Sequence, residues 1–314
     1  MSAQPEPVVA DAIQRLRESI CGIVRGKDEI VEMAITAVLA GGHLLLQDVP
    51  GVGKTTLAST LAKALGGSFS RLQFTADLLP GDITGVTVLD RSSGEFVFRP
   101  GPLFANVVLA DEINRTSPKT QSALFEAMEE GRVTVDGRTM DLPQPFLVVA
   151  TQNPYDFHGT FPLPDSQLDR FLMRLRMGYP DREAERVVVR RGGIKRELAE
   201  PVMDLHQVLE LRAATERITV PEEVEDYLLD LVRATRRDAR LLRGVSPRGA
   251  QALYRAVRSY ALVKGRGFVI PEDVRELAVA VLGHRVIPRS NAGPSGNGGE
   301  LAISAALDEL PAPG

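Results

Sequence analysis

The 314-residue chain has no tryptophan, one cysteine and four histidines. A single thiol, Cys21, cannot close an intramolecular bridge, so no disulfide framework is expected and a reducing, cytoplasmic setting is. Cys21 reads as a small, partly buried hydrophobe. His43, His158, His206 and His284 are scattered, with no cysteine partners and no i,i+4 pair, which leaves a zinc site unsupported. No window approaches ~18 uninterrupted apolar residues, so no membrane span is expected. The opening MSAQPEPVVADA lacks the basic and apolar regions of a signal peptide. Positive charge is not in excess either: 37 Lys and Arg against 41 Asp and Glu leave a net charge of −4. That balance argues against a chain whose main business is coating nucleic acid.

What the chain does contain is centred on His43–Leu65, HLLLQDVPGVGKTTLASTLAKAL. An apolar run, a Gly-rich turn and an apolar-periodic helix follow one another, the context that a phosphate-binding P-loop requires. Gly51 and Gly53 let backbone N–H groups turn toward phosphate oxygens, and the helix N-terminus adds positive potential. Pro50, Val52 and Thr56 complete the candidate nucleotide-binding loop, with Lys54 to reach the β- and γ-phosphates and the Thr55 hydroxyl to hold Mg²⁺. Asp48 stands where the usual pattern has glycine; an acid there must turn away from phosphate or cap a loop N–H.

Elsewhere, apolar spacing predicts helices over Val8–Ile20 and around Ile30–Val38, and buried strands over Val107–Ala110, Phe146–Ala150 and Leu172–Met177. Val24 and Gly26, ahead of the P-loop strand, either line a base pocket or simply pack. Two hairpins are expected: one carries Val86 and Val88, turns at Ser93-Gly94 and returns through Phe96 and Phe98, and the other turns at Asp136-Gly137. Between them Ser117-Pro118 starts a helix. Strands alternating with helices imply a parallel α/β sheet. Beyond Tyr179-Pro180 the pattern becomes helical: a charged helix over Asp181–Arg196, then stripes through Val224–Val232, Ala250–Ala261 and Val274–Val281. The expected organisation is a disordered lead over 1–7, an α/β nucleotide-binding domain over 8–180, an all-helical lid over 181–290, and a Gly/Ser/Pro-rich flexible tail over 291–314. Arg233, Arg236, Arg237, Arg240 and Arg243 read as a solvated helix face or as a subunit or partner contact.

Asp111 and Glu112 end a buried strand, where open α/β sheets bind ligands. Asp111 is placed to take Mg²⁺ and Glu112 to deprotonate the attacking water. Asn153, past the next strand, can donate to a γ-phosphate and accept from water. These motifs, with DITG (82–85), GPLFANVVLADEINR (101–115), GRVTVDG (131–137), ATQNP (150–154), GTFPLPDSQLDRF (159–171) and GVSPRG (244–249), resemble the AAA+ ATPases and, within them, the MoxR group. The resemblance covers Val24 to about Ile287, and the Asp48 variant is tolerated in that group. It implies a five-stranded parallel sheet with inserted β-hairpins and a helical lid. It also implies that Arg170 is an arginine finger acting on a neighbouring subunit's γ-phosphate, worth ~10³–10⁵ in rate. Arg248 matches the second sensor; a cation in the first turn of a helix opposes the dipole by ~0.3–1 kcal/mol, which makes sense if it meets an anion. Arg115 is implied to touch the adjacent subunit or sense nucleotide state. The implied cofactors are ATP and Mg²⁺, and the implied assembly is a homo-oligomeric ring, a hexamer. The implied partner is a protein client bearing a von Willebrand factor A domain, acted on in chaperone fashion for metal or cofactor insertion or complex maturation. A metal-chelatase-type motor subunit, a nucleic-acid translocase and a scaffold with negligible turnover are the rival readings. The near-neutral first hairpin tip, Asp90–Glu95, disfavours the translocase.

Overall fold

The computed structural model describes residues 7–153, 160–190, 199–289 and 297–313. Two helices, α1 (Pro7–Ile23) and α2 (Asp28–Leu39), precede β1 (Leu44–Gln47) and α3 (Lys54–Ala64). Next come β2 (Phe69–Gln73), α4 (Pro80–Thr84), the hairpin of β3 (Gly85–Leu89) and β4 (Phe96–Pro100), and β5 (Val107–Asp111). A 3-10 turn over Ile113–Arg115 leads to α5 (Pro118–Glu130), the hairpin of β6 (Arg132–Val135) and β7 (Arg138–Asp141), and β8 (Leu147–Gln152). Finally α6 (Asp165–Leu168) and β9 (Met173–Leu175) complete the sheet. The sheet has five strands, all parallel, in the order β2-β5-β8-β1-β9.

Alternation along the strands builds two cores. Val107 and Leu109 face the layer holding α1, α2 and α3, whereas Val108 and Ala110 face Leu124, Phe125 and Met128 of α5. Local chemistry sets the ends of α5: the Ser117 hydroxyl accepts the Thr120 N–H, Pro118 opens the first turn, and Gly131 closes it with φ +65°. The second hairpin turns through Asp136 (φ 50°) and Gly137 (φ 75°), both positive as a two-residue turn requires. His43 is buried, its Nε2 against Met128 O at 3.0 Å and its Nδ1 accepting the Val148 N–H. It ties α5 to β8, and burial pushes its pKa down to about 4.

The lid comprises α7 (Arg182–Arg190), α8 (Leu205–Glu216), α9 (Glu222–Arg237), β10 (Leu241–Arg243), α10 (Pro247–Val263), α11 (Pro271–Leu282), β11 (Ile287–Pro288) and α12 (Gly298–Glu309). The three expected stripes are there, with Val224, Leu228, Leu231, Leu253, Val257, Leu277 and Val281 all buried. These residues join the core of α1–α3, because α2 packs on both α8 and α10. Of the arginines read as a solvated face, Arg236 donates to Val245 O at 2.9 Å, Arg240 pairs with Asp238 and Glu309, and Arg243 lies 3.5 Å from Asp165.

Two expectations for this half need correction, and α8 adds a helix that no expected stripe covered. The lid is not wholly helical: β10 and β11 pair antiparallel through Leu241↔Pro288 and Arg243↔Ile287. Helix α8 carries no simple apolar stripe, yet it buries Val208, Leu211, Ala214 and Thr215. The tail taken as flexible contains α12, which buries Ala302, Ile303, Ala306 and Leu307 on one face. Its glycines serve close approach rather than mobility, since a Cβ on Gly299 would come within 2.1 Å of the Gly283 carbonyl oxygen. Glu300 then pairs with Arg174 at 2.9 Å and Arg176 at 3.2 Å, fastening α12 to the edge strand β9. The lead falls mostly on residues 1–6 and the end of the charged helix on 191–196, outside the described residues; Pro7 already begins α1.

The packed α12 makes a direct stability prediction. Ile303→Ala should cost about 2–5 kcal/mol in urea unfolding, the range for truncating a buried aliphatic side chain. The exposed neighbour change Leu301→Ala should cost about 0.5 kcal/mol or less.

Candidate active site

The site follows from strand register. β1 and β8 run side by side from Leu44↔Val149 to Gln47↔Gln152, and β5 and β8 from Val107↔Leu147 to Ala110↔Ala150. The carboxyl ends of β1, β5 and β8 therefore lie along one edge, where they open into a cleft of about 320 Å³. Pro50, Gly51, Gly53, Lys54, Thr55 and Thr56 line it from the loop and α3, and Asp111, Glu112 and Asn153 line it from the other strands. Gly51 and Gly53 have φ of +86° and +98°, so the turn into α3 needs the left-handed freedom of glycine.

Lys54 Nζ donates to Asp48 O at 2.8 Å. Burial lowers its pKa, opposed by the charges of Asp48, Asp111 and Glu112. Asp48 takes both courses open to an acid at its position. One carboxylate oxygen caps the Val49 N–H at 2.8 Å, and the other turns away to accept the Gly178 N–H at 2.6 Å. Asp48 thus staples the P-loop to the segment that follows β9.

Asp111 is buried at the end of β5, on the α3 face with Leu109. Glu112 is the next residue and by alternation points to the other face, but its backbone turns left-handed, φ 58° and ψ 49°, and brings its side chain into the same cleft. For a residue other than glycine that conformation costs roughly 1–3 kcal/mol and persists only where surrounding contacts impose it. The imposing group is Thr151, whose hydroxyl accepts the Glu112 N–H at 2.9 Å and donates to Asp111 Oδ1 at 3.1 Å.

Thr151 was not among the sequence candidates, and neither were two residues of β2 that line the cleft. Arg71 Nε donates to Asp111 Oδ2 at 2.7 Å, and Gln73 Nε2 donates to Glu112 Oε2 at 3.0 Å. Arg115 Nε lies 3.1 Å from the same Glu112 oxygen. The spacing of Arg71 and Gln73 reads only as the outer face of a strand; their function depends on which strand pairs with β2.

Several candidates do not line this cleft. Val24 and Val52 are buried in the core, and Gly26 sits against Asp181 and Ala184. Arg170 donates to Phe125 O at 2.8 Å and pairs with Glu129. Arg248 pairs with the same Glu129 at 3.2 Å and lies 3.7 Å from Asp169, which in turn accepts from the buried Arg285 at 2.7 Å. Arg248 thus stands beside Arg170, held there by an α5 carboxylate.

The donor set fits a magnesium ion. Thr55 and Asp111 share the cleft, and Arg71 already sets a cationic group on Asp111. Among the described residues no group of three or more His, Cys, Asp or Glu offers an all-protein cage. One or two protein oxygens completed by phosphate and water is the usual manner of holding Mg²⁺.

A P-loop on one central strand, paired acids ending the next strand but one, and a helical lid define a nucleoside-triphosphatase module of the AAA class. Residues 43–173 match the family described as "ATPase family associated with various cellular activities (AAA)", and residues 233–303 match the AAA lid domain. Chaperone MoxR1 of Mycobacterium tuberculosis is 41% identical over 300 residues, covering 93% of this chain and 80% of that one. The protein YeaC of Bacillus subtilis, which has no described function, is 47% identical over 283 residues, covering 90% and 87%. The crystal structure of a candidate ATPase from Cytophaga hutchinsonii superposes with a TM-score of 0.89 at 36% identity, covering 98% of this chain and 96% of that one. The chain belongs to the MoxR family of AAA+ ATPases.

The Asp48 staple can be tested apart from chemistry. Asp48→Ala strips the acceptor from two loop N–H groups and should lower stability by about 1–3 kcal/mol in urea unfolding. Asp48→Asn, which keeps an acceptor oxygen, should lose clearly less.

Proposed function

We propose that the chain hydrolyses ATP to ADP and phosphate and that turnover drives the remodelling of a protein client. The observation that carries this reading is the left-handed turn at Glu112, which sets a carboxylate in the same cleft as Lys54 and Thr55. Lys54 and the backbone N–H groups of the P-loop bind the phosphates, and the base lies toward Gly26 and Gly178. Thr55 and Asp111 would hold Mg²⁺, which when bound would neutralise phosphate charge. Glu112 accepts the proton of the attacking water, and Asn153 orients that water without adding charge. Arg71, which pairs with Asp111 at 2.7 Å, would have to release that carboxylate for Asp111 to take the metal.

Arg170 and Arg248 act on the γ-phosphate bound by a neighbouring subunit, so the working form is a homo-oligomeric ring, a hexamer by family resemblance. Their absence from the chain's own cleft supports this arrangement. Loss of the γ-phosphate removes the anion both guanidiniums read, and the lid and neighbour shift. The first hairpin suits client contact: Val86, Leu89, Phe96 and Val97 are exposed, with Phe96 at 70%, and exposed apolar groups of this size mark interaction surfaces. The client is a protein, of von Willebrand factor A-domain type by the same resemblance. The printed name of the mycobacterial relative supports a chaperone role. Among the described residues no helix is long and apolar enough to cross a membrane.

Glu112→Gln should keep nucleotide binding, read with a fluorescent ATP analogue, while phosphate release falls by at least ~10²-fold; unchanged turnover would remove Glu112 as the base. For the shared site, Arg170→Ala and Lys54→Ala chains should each be inactive alone and regain turnover when mixed. Mixed rings verified by size exclusion with no recovery at any ratio would place Arg170 outside the reaction.

A further inference from the structure

A second cavity, of about 720 Å³, opens where the C-terminal end of α2 meets α8 and α10. It shares no lining residue with the P-loop cleft. Leu39 and Leu209 supply apolar wall, while Arg212, Arg255 and Arg258 bring three guanidinium groups against one acidic side chain, Glu216.

Part of this positive charge has a structural use. Arg212 Nε donates to Val38 O at 2.7 Å and Arg258 Nη2 donates to Glu216 O, so each cation sits at a helix C-terminus, where the dipole favours it. Arg258 also lies 5.7 Å from the Tyr254 ring centroid. Capping leaves much unanswered, however. Arg212 Nη2 and Arg258 Nε are buried and find no acceptor among the described residues. Arg255 makes no hydrogen bond or ion pair with any described residue, and the Glu216 carboxylate pairs with none of the three. Burial alone pushes Arg212 down to about 10, and burial together with Arg248 lowers Arg255.

Water can satisfy an orphaned N–H, but it leaves three like charges facing one another across a cavity. An oxyanion does both: it accepts from the planar forks and cancels their charge. The volume falls within the range of small-molecule sites, and apolar wall beside a few convergent polar groups is their usual make-up. We infer that this cavity binds a small polyanion, a polyphosphate or a polycarboxylate, separately from the nucleotide in the P-loop cleft.

The test is isothermal titration of the full chain with pyrophosphate and, separately, with citrate. The parent is Lys54→Ala, which removes the main phosphate contact of the other cleft. At least one probe should bind at a single site and weaken as salt is raised, and adding Arg255→Gln should weaken that binding at least ~10-fold. Binding of pyrophosphate alone assigns a phosphate-bearing ligand, and binding of citrate alone a carboxylate-bearing one. Because Arg255 makes no hydrogen bond or ion pair with a described residue, its variant should melt with the parent. Should it melt early, Arg212→Lys, which keeps the charge and loses the fork, provides the same readout. The proposal is overturned if neither probe binds more tightly than ~1 mM, or if the variants bind the probe as the parent does.

Discussion

The Thr151 hydroxyl accepts the Glu112 N–H and donates to Asp111, and it reaches both only because β8 lies in parallel register against β5. The rest of the cleft inherits its geometry from that placement. Asp111 stays on the α3 face, Glu112 is held in a backbone conformation that its side chain disfavours, and Asn153 follows Thr151 past the end of the same strand. Inserting β8 between the P-loop strand and the strand bearing the acids also leaves room at the edge of the sheet. Adjacent strands lie about 4.8 Å apart, so two strand spacings separate Gln47 from Asp111, the gap the cleft occupies.

The same economy governs the other half of the molecule. One apolar cluster runs from α1–α3 into α8–α12, so the lid is bonded through α2 to the layer that carries the P-loop helix. At the far edge of the sheet, Glu300 of α12 is fixed to two arginines of β9. Partly buried and meeting two cations, this carboxylate is more constrained than an isolated surface pair, which is worth about 1 kcal/mol or less.

How legible each part was depends on whether its signal is local. The P-loop, the Ser117 cap and the Asp136-Gly137 turn are written within a few consecutive residues, and each forms as its chemistry requires. Arg71 and Gln73 are not legible in this way, because alternation along β2 says which residues share a face but not that β5 is the neighbour. Helix α12 was hidden by composition: Gly283 and Gly299 resemble linker glycines until their backbones are seen to touch. The lid ribbon was missed because three residues pairing with two leave no periodicity to read. The resemblance supplied Arg170 and Arg248 singly, but nothing in the sequence pairs either with Glu129, 41 positions away from the one and 119 from the other.

That pairing has a consequence for how the two arginines behave. A single carboxylate grips both guanidiniums, so within one chain they form a two-pronged fork whose handle is the end of α5. The grip is partly exposed to solvent and weak by the standards of buried pairs. An anion carrying more charge than Glu129 competes for both prongs at once, and releasing one loosens the other. On the proposed role of the two arginines, the fork would answer to a phosphate as a single element, and the movement it transmits would begin at α5, between the two hairpins, rather than in the lid alone.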